Sequence, residues 1–349
     1  RLFAPEHGFR GEKQDMEQVT NSIDADTGLP LFSLYGSSKE SLVPAAELFR
    51  DLDILLVDLP DIGTRYYTFA QSLAYCMQTA AITGTKVVVL DRPNPVNGVD
   101  FEGARLSVSC RSFCGYAPVA NRHGLTLGEL ALAANRGFGE GDWRIPPAKC
   151  DLEIQQVRNW HREDFFDQTG LPWVLPSPNM PALDTALVYP GACLFEATAV
   201  SEGRGTTRPF ELLGAPYIDG RLWAAETQKL NLGLNGVMLR PTSFIPKFNK
   251  WAGSVCGGLQ IHVTGRRLLQ PFRLGIALLY TLAQLYPDQF SLRAHAYEFV
   301  DQVPALDLLY GSSTLRSVLE GNSNLDAVLE ELAMFEKWYA GARRDILIY

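Results

Sequence analysis

Acidic, basic and amide side chains gather where short apolar runs stop. Glu6 and His7 follow Leu2-Phe3-Ala4 within Pro5-Glu6-His7-Gly8-Phe9-Arg10-Gly11. Asp58, Asp61 and Arg65 follow Ile54-Leu55-Leu56-Val57 within Asp58-Leu59-Pro60-Asp61-Ile62-Gly63-Thr64-Arg65. Asp91, Arg92 and Asn94 follow Val87-Val88-Val89-Leu90 within Asp91-Arg92-Pro93-Asn94-Pro95. The apolar runs lack alternation, the pattern of strands buried on both faces of a parallel sheet. Ligands of such sheets bind in the crevice outside the carboxyl ends of the strands. Carboxylates there, each near an arginine or histidine, point to an active site.

Each turn has a particular chemistry. Glu6 is framed by Pro5 and Gly8, a rigid support for a general acid or base that His7 could hold or tune. The alternative is a structural ion pair of Glu6 with Arg10. Asp61 enters a predicted helix and could simply cap it. Its neighbours Arg65, Tyr66 and Tyr67 favour a binding role, because an arginine fork grips carboxylates and tyrosines pack on sugar rings. Asn94 sits between two prolines, which fixes its direction. For Asp91 and Arg92, plain turn chemistry is an equal alternative.

The second half carries Ser201-Glu202-Gly203-Arg204-Gly205-Thr206-Thr207-Arg208-Pro209-Phe210, with one carboxylate, two arginines and two glycines. Glycine lets backbone approach a ligand closely, and the arginines favour an anionic group. Pro176-Ser177-Pro178-Asn179-Met180-Pro181 adds Asn179 as a second proline-framed amide.

Helices are predicted at Ser41–Phe49, at Thr68–Ala81 with Gly84 near its end, and after Thr126, where Thr126-Leu127-Gly128-Glu129 forms a capping box. Leu152–Val157 reads as a further strand. Alternating strands and helices imply a doubly wound parallel sheet. Four prolines between Leu171 and Pro181 forbid regular structure there. We therefore expect one domain over residues 1–170 and a second over 171–349, the latter mixed and containing amphipathic helices at Phe272–Leu285 and Leu325–Ala340.

At 349 residues, 46% hydrophobic and 20% charged, the composition is that of a globular protein with two ordinary domains or one large one. A net charge of -8 argues against nucleic acid and an anionic membrane surface as partners. No apolar run reaches the ~20 residues of a membrane span. The chain opens on Arg1-Leu2-Phe3-Ala4, so we expect Arg1 to be an internal position of a longer product, with any targeting segment upstream. The six cysteines form no zinc pattern, Cys76 is expected as a buried thiol, and Cys110 and Cys114 are spaced for a local disulfide. No metal site is expected. GxGxxG, GxxxxGK[ST] and GxSxG are all missing, which weakens dinucleotide, P-loop and α/β-hydrolase readings.

Taken together, the motifs at Pro5–Gly11, Asp61–Tyr67, Asp91–Pro95, Pro176–Pro181 and Glu202–Phe210 resemble the DUF1343 family, which includes the NamZ-type exo-β-N-acetylmuramidases. The motifs occur in family order and cover most of the chain, except for the family's opening strand. The resemblance implies a Rossmann-like, doubly wound domain joined to a smaller α+β domain, with a cleft between them. It implies a glycosidase without cofactor that releases non-reducing terminal N-acetylmuramic acid from peptidoglycan fragments. Glycosidases need a carboxylic acid and commonly a second carboxylate. Glu6 is then the expected acid, with His7 beside it and Glu202, then Asp61 and Asp91, as candidate partners. Arg65, Arg204 and Arg208 are the expected partners of the lactyl carboxylate. Arg10, Tyr66, Tyr67, Asp91, Arg92, Asn94, Asn179 and Thr206 complete the expected binding set. The family implies a periplasmic or extracellular location. The competing readings are a non-catalytic muropeptide-binding protein, which would not require Glu6, and an oxidoreductase on the same sheet.

Overall fold

The short apolar runs become strands. In a computed structural model describing residues 1–349, β1 (Leu2–Ala4) pairs in parallel with β3 (Pro30–Ser33), and β2 (Ser22–Ile23) runs antiparallel beside β3. A second sheet is wholly parallel, in the order β4 (Ile54–Val57), β5 (Lys86–Leu90) and β6 (Leu152–Gln155). Between β4 and β5 runs helix α1 (Phe69–Thr83), closed by Gly84 at φ 78°. Only glycine adopts that left-handed cap without penalty. Helix α2 (Leu127–Arg136) starts at the predicted capping box, with Thr126 Oγ accepting from Glu129 N–H and Glu129 accepting from Thr126 N–H.

The expectation of strands buried on both faces fails at β4. Leu55 and Val57 are buried, but Ile54 and Leu56 are exposed. Leu55, Val57, Val87 and Val89 share one face and pack against Leu73 and Met77 of α1 and Leu127 and Ala131 of α2. Both helices therefore cover the same face. The segment that was to supply another helix, Ser41–Phe49, forms only two short 3-10 turns, Lys39–Leu42 and Ala46–Leu48. Pro44 separates them and holds Val43 extended, so no continuous helix spans the stretch.

No helix or strand forms across residues 171–181. The chain then enters α3 (Leu183–Ala192), which takes in Tyr189-Pro190-Gly191. Its interior proline, Pro190, lies in the last turn of the helix, two residues before its end. Gly191 also meets Gly275 of α5 (Pro271–Leu285) so closely that a Cβ on either would strike the other helix's backbone. An antiparallel sheet follows, in the order β7 (Leu212–Ala215), β9 (Cys256–Val263) and β8 (Val237–Phe244), with α3 and α4 (Gly220–Leu230) packed on it and α5 against those helices. Leu213, Leu259, Trp223, Phe272 and Leu278 form its core.

The helices α6 (Ala305–Tyr310), α7 (Thr314–Leu319) and α8 (Leu325–Ala342) complete the chain. Phe335 and Tyr339 of α8 return to the first half and pack with Leu125, Leu130 and Phe138. Ile62, Tyr66 and Tyr67 belong conversely to the main core of the second half. The two halves thus share core residues, and the cavity between them has a rigid frame. The fold is mixed α/β, a parallel sheet with a second, α+β domain. All six cysteines are free and buried, Cys110 and Cys114 included.

Candidate active site

Directly after β1 the chain turns, with Gly8 N–H donating to Pro5 C=O at 3.1 Å. His7 takes φ 70° in that turn, a left-handed conformation uncommon outside glycine. Its Nδ1 lies 3.1 Å from Lys13 C=O, which anchors the ring. The turn aims Glu6 inward, where its carboxylate is 3% exposed. Glu6 Oε1 accepts from Met16 N–H at 3.2 Å, and Oε2 accepts from Thr68 Oγ at 2.6 Å. Thr68 is the N-cap residue of α1, so the carboxylate lies at the positive end of a fifteen-residue helix. Both oxygens of Glu6 thus accept hydrogen bonds.

A small cavity, of about 30 Å³, lies in front of Glu6. His7, Asp15, Tyr66, Tyr67 and Thr68 line it from the first half; Asn179, Tyr189, Glu196, Arg204, Tyr297 and Glu298 line it from the second. Two contacts tie the loop after β1 across this space: Arg204 lies 2.9 Å from Asp15, and Asn179 donates to Gln14 at 2.6 Å. Tyr67 is buried against Phe69 and Tyr189, and burial pushes its phenol above the ordinary range, leaving a neutral hydrogen-bonding group. Tyr66 packs edge-on to Tyr189 and donates its hydroxyl to Pro190 C=O.

Arg204 is the one guanidinium lining the cavity. It sits 2.8 Å from Glu196 and 3.3 Å from Glu202 and stacks on Phe210. Burial works against its charge, but Glu196, Asp15 and Glu202 outweigh this and hold its pKa well above the usual value. The second oxygen of Glu196 accepts from Tyr297 Oη at 2.5 Å. Glu298 has no such cation. Its only hydrogen bond comes from Tyr35 Oη at 3.0 Å, and burial with the nearby Glu6 drives its pKa well up.

The structure thus brings Glu6, His7, Tyr66, Tyr67, Asn179 and Arg204 together and leaves the other expected residues elsewhere. Glu202 does not line the cavity; Lys250 at 2.7 Å and Arg204 compensate its charge. Asp61 accepts from Gly63 N–H at 2.7 Å and lies 3.3 Å from His123; it does not cap α1, whose N-cap is Thr68. Arg65 is buried, its pKa lowered to about 10 by desolvation, and donates to four backbone carbonyls, those of Ala104, Val119, Leu309 and Tyr310. Asp91 accepts from Arg92 N–H, Gly128 N–H and Tyr349 Oη, while Arg92 pairs with Asp58. Asn94 bridges Leu125 C=O and Val96 N–H. Arg10 faces outward onto Asp24 and Asp26, not onto Glu6. Arg208 pairs with Glu211, and Thr206 donates to Gly203 C=O. Asp61, Asp91 and Arg92 line a different groove, over the ends of β4 and β5, that shares no residue with the Glu6 cavity.

Sequence reading missed Asp15, Glu196, Tyr297 and Glu298. A signal existed for two of them: Glu196 and Glu298 are lone carboxylates in the apolar runs Cys193-Leu194-Phe195-Glu196-Ala197 and Ala296-Tyr297-Glu298-Phe299-Val300. No cluster of three His, Cys, Asp or Glu side chains is spaced to hold a metal ion.

A buried pocket of carboxylates and tyrosines between two α/β halves defines the class as glycosidase-like. Family comparison agrees: residues 1–184 match the N-terminal and 187–349 the C-terminal domain model of the exo-β-N-acetylmuramidase NamZ. The chain belongs to the NamZ family. It is 38% identical over 348 residues to the peptidoglycan β-N-acetylmuramidase NamZ of Bacillus subtilis (strain 168), covering all of this chain and 79% of the relative. Two crystal structures of DUF1343 family proteins from Bacteroides fragilis NCTC 9343 are similar, each 28% identical. The first has TM-score 0.86 and covers 100% of this chain and 85% of the other; the second has TM-score 0.72, covering 99% and 85%.

Proposed function

We propose that this chain is an exo-β-N-acetylmuramidase that releases the non-reducing terminal N-acetylmuramic acid of peptidoglycan fragments, with Glu6 as one of its two catalytic carboxylates. Family membership supports the reaction, and the placement of Glu6 supports the residue. Glu6 is rigidly held, buried and open to a cavity that both halves line with polar groups. With both oxygens accepting hydrogen bonds, from Met16 N–H and Thr68 Oγ, Glu6 is read as the partner on the anomeric side, a base or nucleophile. His7 braces the turn.

Of the three arginines expected at the lactyl carboxylate, Arg204 alone lines the cavity. Asp15 already occupies one of its nitrogens at 2.9 Å, a carboxylate standing where the lactyl group would bind. Substrate entry then exchanges one carboxylate for another on the same fork. Tyr66 and Tyr67 supply walls for the sugar, and Asn179 an amide for a hydroxyl or the acetamido group.

The amino-terminal half is read as Rossmann-like in its alternation of parallel strands with helices and its acidic turns after the strands' carboxyl ends, though α1 and α2 share one face of the sheet. A periplasmic or extracellular location follows from a substrate that lies outside the cytoplasmic membrane, and cell fractionation tests it. No helix is long and apolar enough to cross a membrane.

The activity is tested with a chromogenic β-N-acetylmuraminide and its N-acetylglucosaminide counterpart. The muraminide should turn over and the glucosaminide barely, since an unpaired buried arginine penalises the sugar without a lactyl group by ~1–3 kcal/mol. Equal rates would remove Arg204 from recognition. No turnover of either would favour the non-catalytic muropeptide-binding alternative.

A further inference from the structure

One carboxylate in the Glu6 cavity is placed by an unusual piece of backbone. Tyr297 and Val300 exchange both backbone hydrogen bonds at 2.9 Å, closing a two-residue turn with Glu298 and Phe299 at its tip. Both tip residues have left-handed φ, 46° and 62°. Hairpin turns of this pattern normally use Asn-Gly, because a side chain is disfavoured there. Strained backbone of this kind clusters at functional sites, where the surrounding structure over-determines it. Here the surroundings are Phe299 against Tyr35, and Tyr35 Oη on Glu298 at 3.0 Å. The product of the strain is a carboxyl group, 5% exposed, in the wall of the cavity that holds Glu6.

We propose that Glu298 is the second catalytic carboxylate, the acid that gives its proton to the leaving oxygen while Glu6 serves the anomeric side. This rests on the reading of Glu6 above. The groups that face Glu298 are Glu6, Asp15, Glu196, Cys114 and the hydroxyl of Tyr35. None is a cation, and the nearby Arg204 is already engaged by Glu196, Asp15 and Glu202. A buried carboxyl with no compensating charge keeps its proton, as its raised pKa reflects. Two carboxyl groups in one pocket, one donated to on both oxygens and one without a cation, thereby have different surroundings and suit different roles. As the glycosidic bond breaks, its electron pair stays on the leaving oxygen, which takes the Glu298 proton. A water oxygen then bonds to the anomeric carbon, and its proton restores the acid, directly or through solvent.

The test is a leaving-group series: dinitrophenyl, nitrophenyl and unsubstituted phenyl β-N-acetylmuraminides, with the wild type, Glu298→Gln and Glu6→Gln. A good leaving group needs no proton. Glu298→Gln should therefore lose ~10²-fold or more in kcat/KM on the phenyl glycoside, stay within about tenfold of wild type on the dinitrophenyl one, and lose the basic limb of its pH profile. Equal losses across the series, or no loss, would overturn the assignment. Tyr35→Phe guards against a misfolded variant. Removing a donor to the Glu298 carboxylate should raise the acid's pKa and move the basic limb to higher pH; an unmoved limb would count against the acid. Undiminished Glu6→Gln turnover beside the predicted Glu298 pattern would overturn the role of Glu6 alone.

Discussion

At the end of β1 the chain turns through Pro5-Glu6-His7-Gly8; at the ends of β4 and β5 it turns through Asp58–Arg65 and Asp91–Pro95. In sequence the three are alike, each an apolar strand followed by carboxylates near a histidine or arginine. In the structure they divide. Glu6 is held on both oxygens and still faces a cavity lined by Asp15, Arg204 and Glu298. Asp91 and Asn94 spend their polar atoms on neighbouring backbone and on Tyr349, and Arg65 spends its own on four carbonyls. The same residue types build a reactive pocket in one place and fasten the fold in the other. What separates them is whether the side chain faces the cavity between the two halves.

The largest expected effect that would sharpen this contrast belongs to the fastening side. Arg65→Ala strips donors from carbonyls in both halves and should cost about 4–5 kcal/mol, the top of the range for single substitutions, in urea unfolding. Turnover per folded molecule should change little. Arg204→Ala belongs to both sides. It leaves Glu196 and Glu202 short of a buried partner, costing about 3–5 kcal/mol, and should also raise KM for the muraminide. An Arg204→Ala protein of normal stability would break the network described around it.

A smaller effect is pH-dependent. Burial lifts the Glu102 carboxyl from its ordinary value of 4.5 to about 7, against the pull of Arg122 and Arg273. Between those values the folded protein binds more protons at Glu102 than the unfolded chain does. Stability therefore falls as pH rises through that window. Glu102→Gln should flatten this slope, so that Tm measured at pH 8 gains on the wild type relative to pH 5. A variant with the wild-type slope would remove Glu102 as its source. The smallest effect is expected for Arg208→Ala. That side chain is half-exposed, pairs only with Glu211 and does not line the cavity. Its loss should cost less than ~1 kcal/mol and leave KM unchanged. A raised KM would return the loop to lactyl recognition.

Much of the fold was legible because it follows from local chemistry. The capping box at Thr126 and the glycine after α1 mark the ends of real helices, and the prolines of residues 171–181 exclude regular structure. Ser41–Phe49 misled because its composition favours a helix while Pro44 breaks it. The site was half legible. Glu6 and Arg204 stand in turns whose glycines and prolines mark them out, and both reach the cavity. Glu202 stands two residues from Arg204, yet its charge is compensated by Lys250 from a distant loop, a pairing that no local pattern reveals. Glu298 lies nearly three hundred residues from Glu6, on a turn whose left-handed backbone is invisible in a Glu-Phe dipeptide. Asp15, in the polar stretch Lys13-Gln14-Asp15-Met16-Glu17, carried no signal at all.

The central claim is that the chemistry takes place at Glu6. Glu6→Gln keeps the shape of the side chain and removes only its charge and proton exchange. With fold integrity checked by thermal melting, kcat for a chromogenic β-N-acetylmuraminide should fall by ~10²-fold or more while KM stays near the wild-type value. Undiminished kcat in the folded Glu6→Gln protein would contradict the account and place the reacting carboxylates elsewhere.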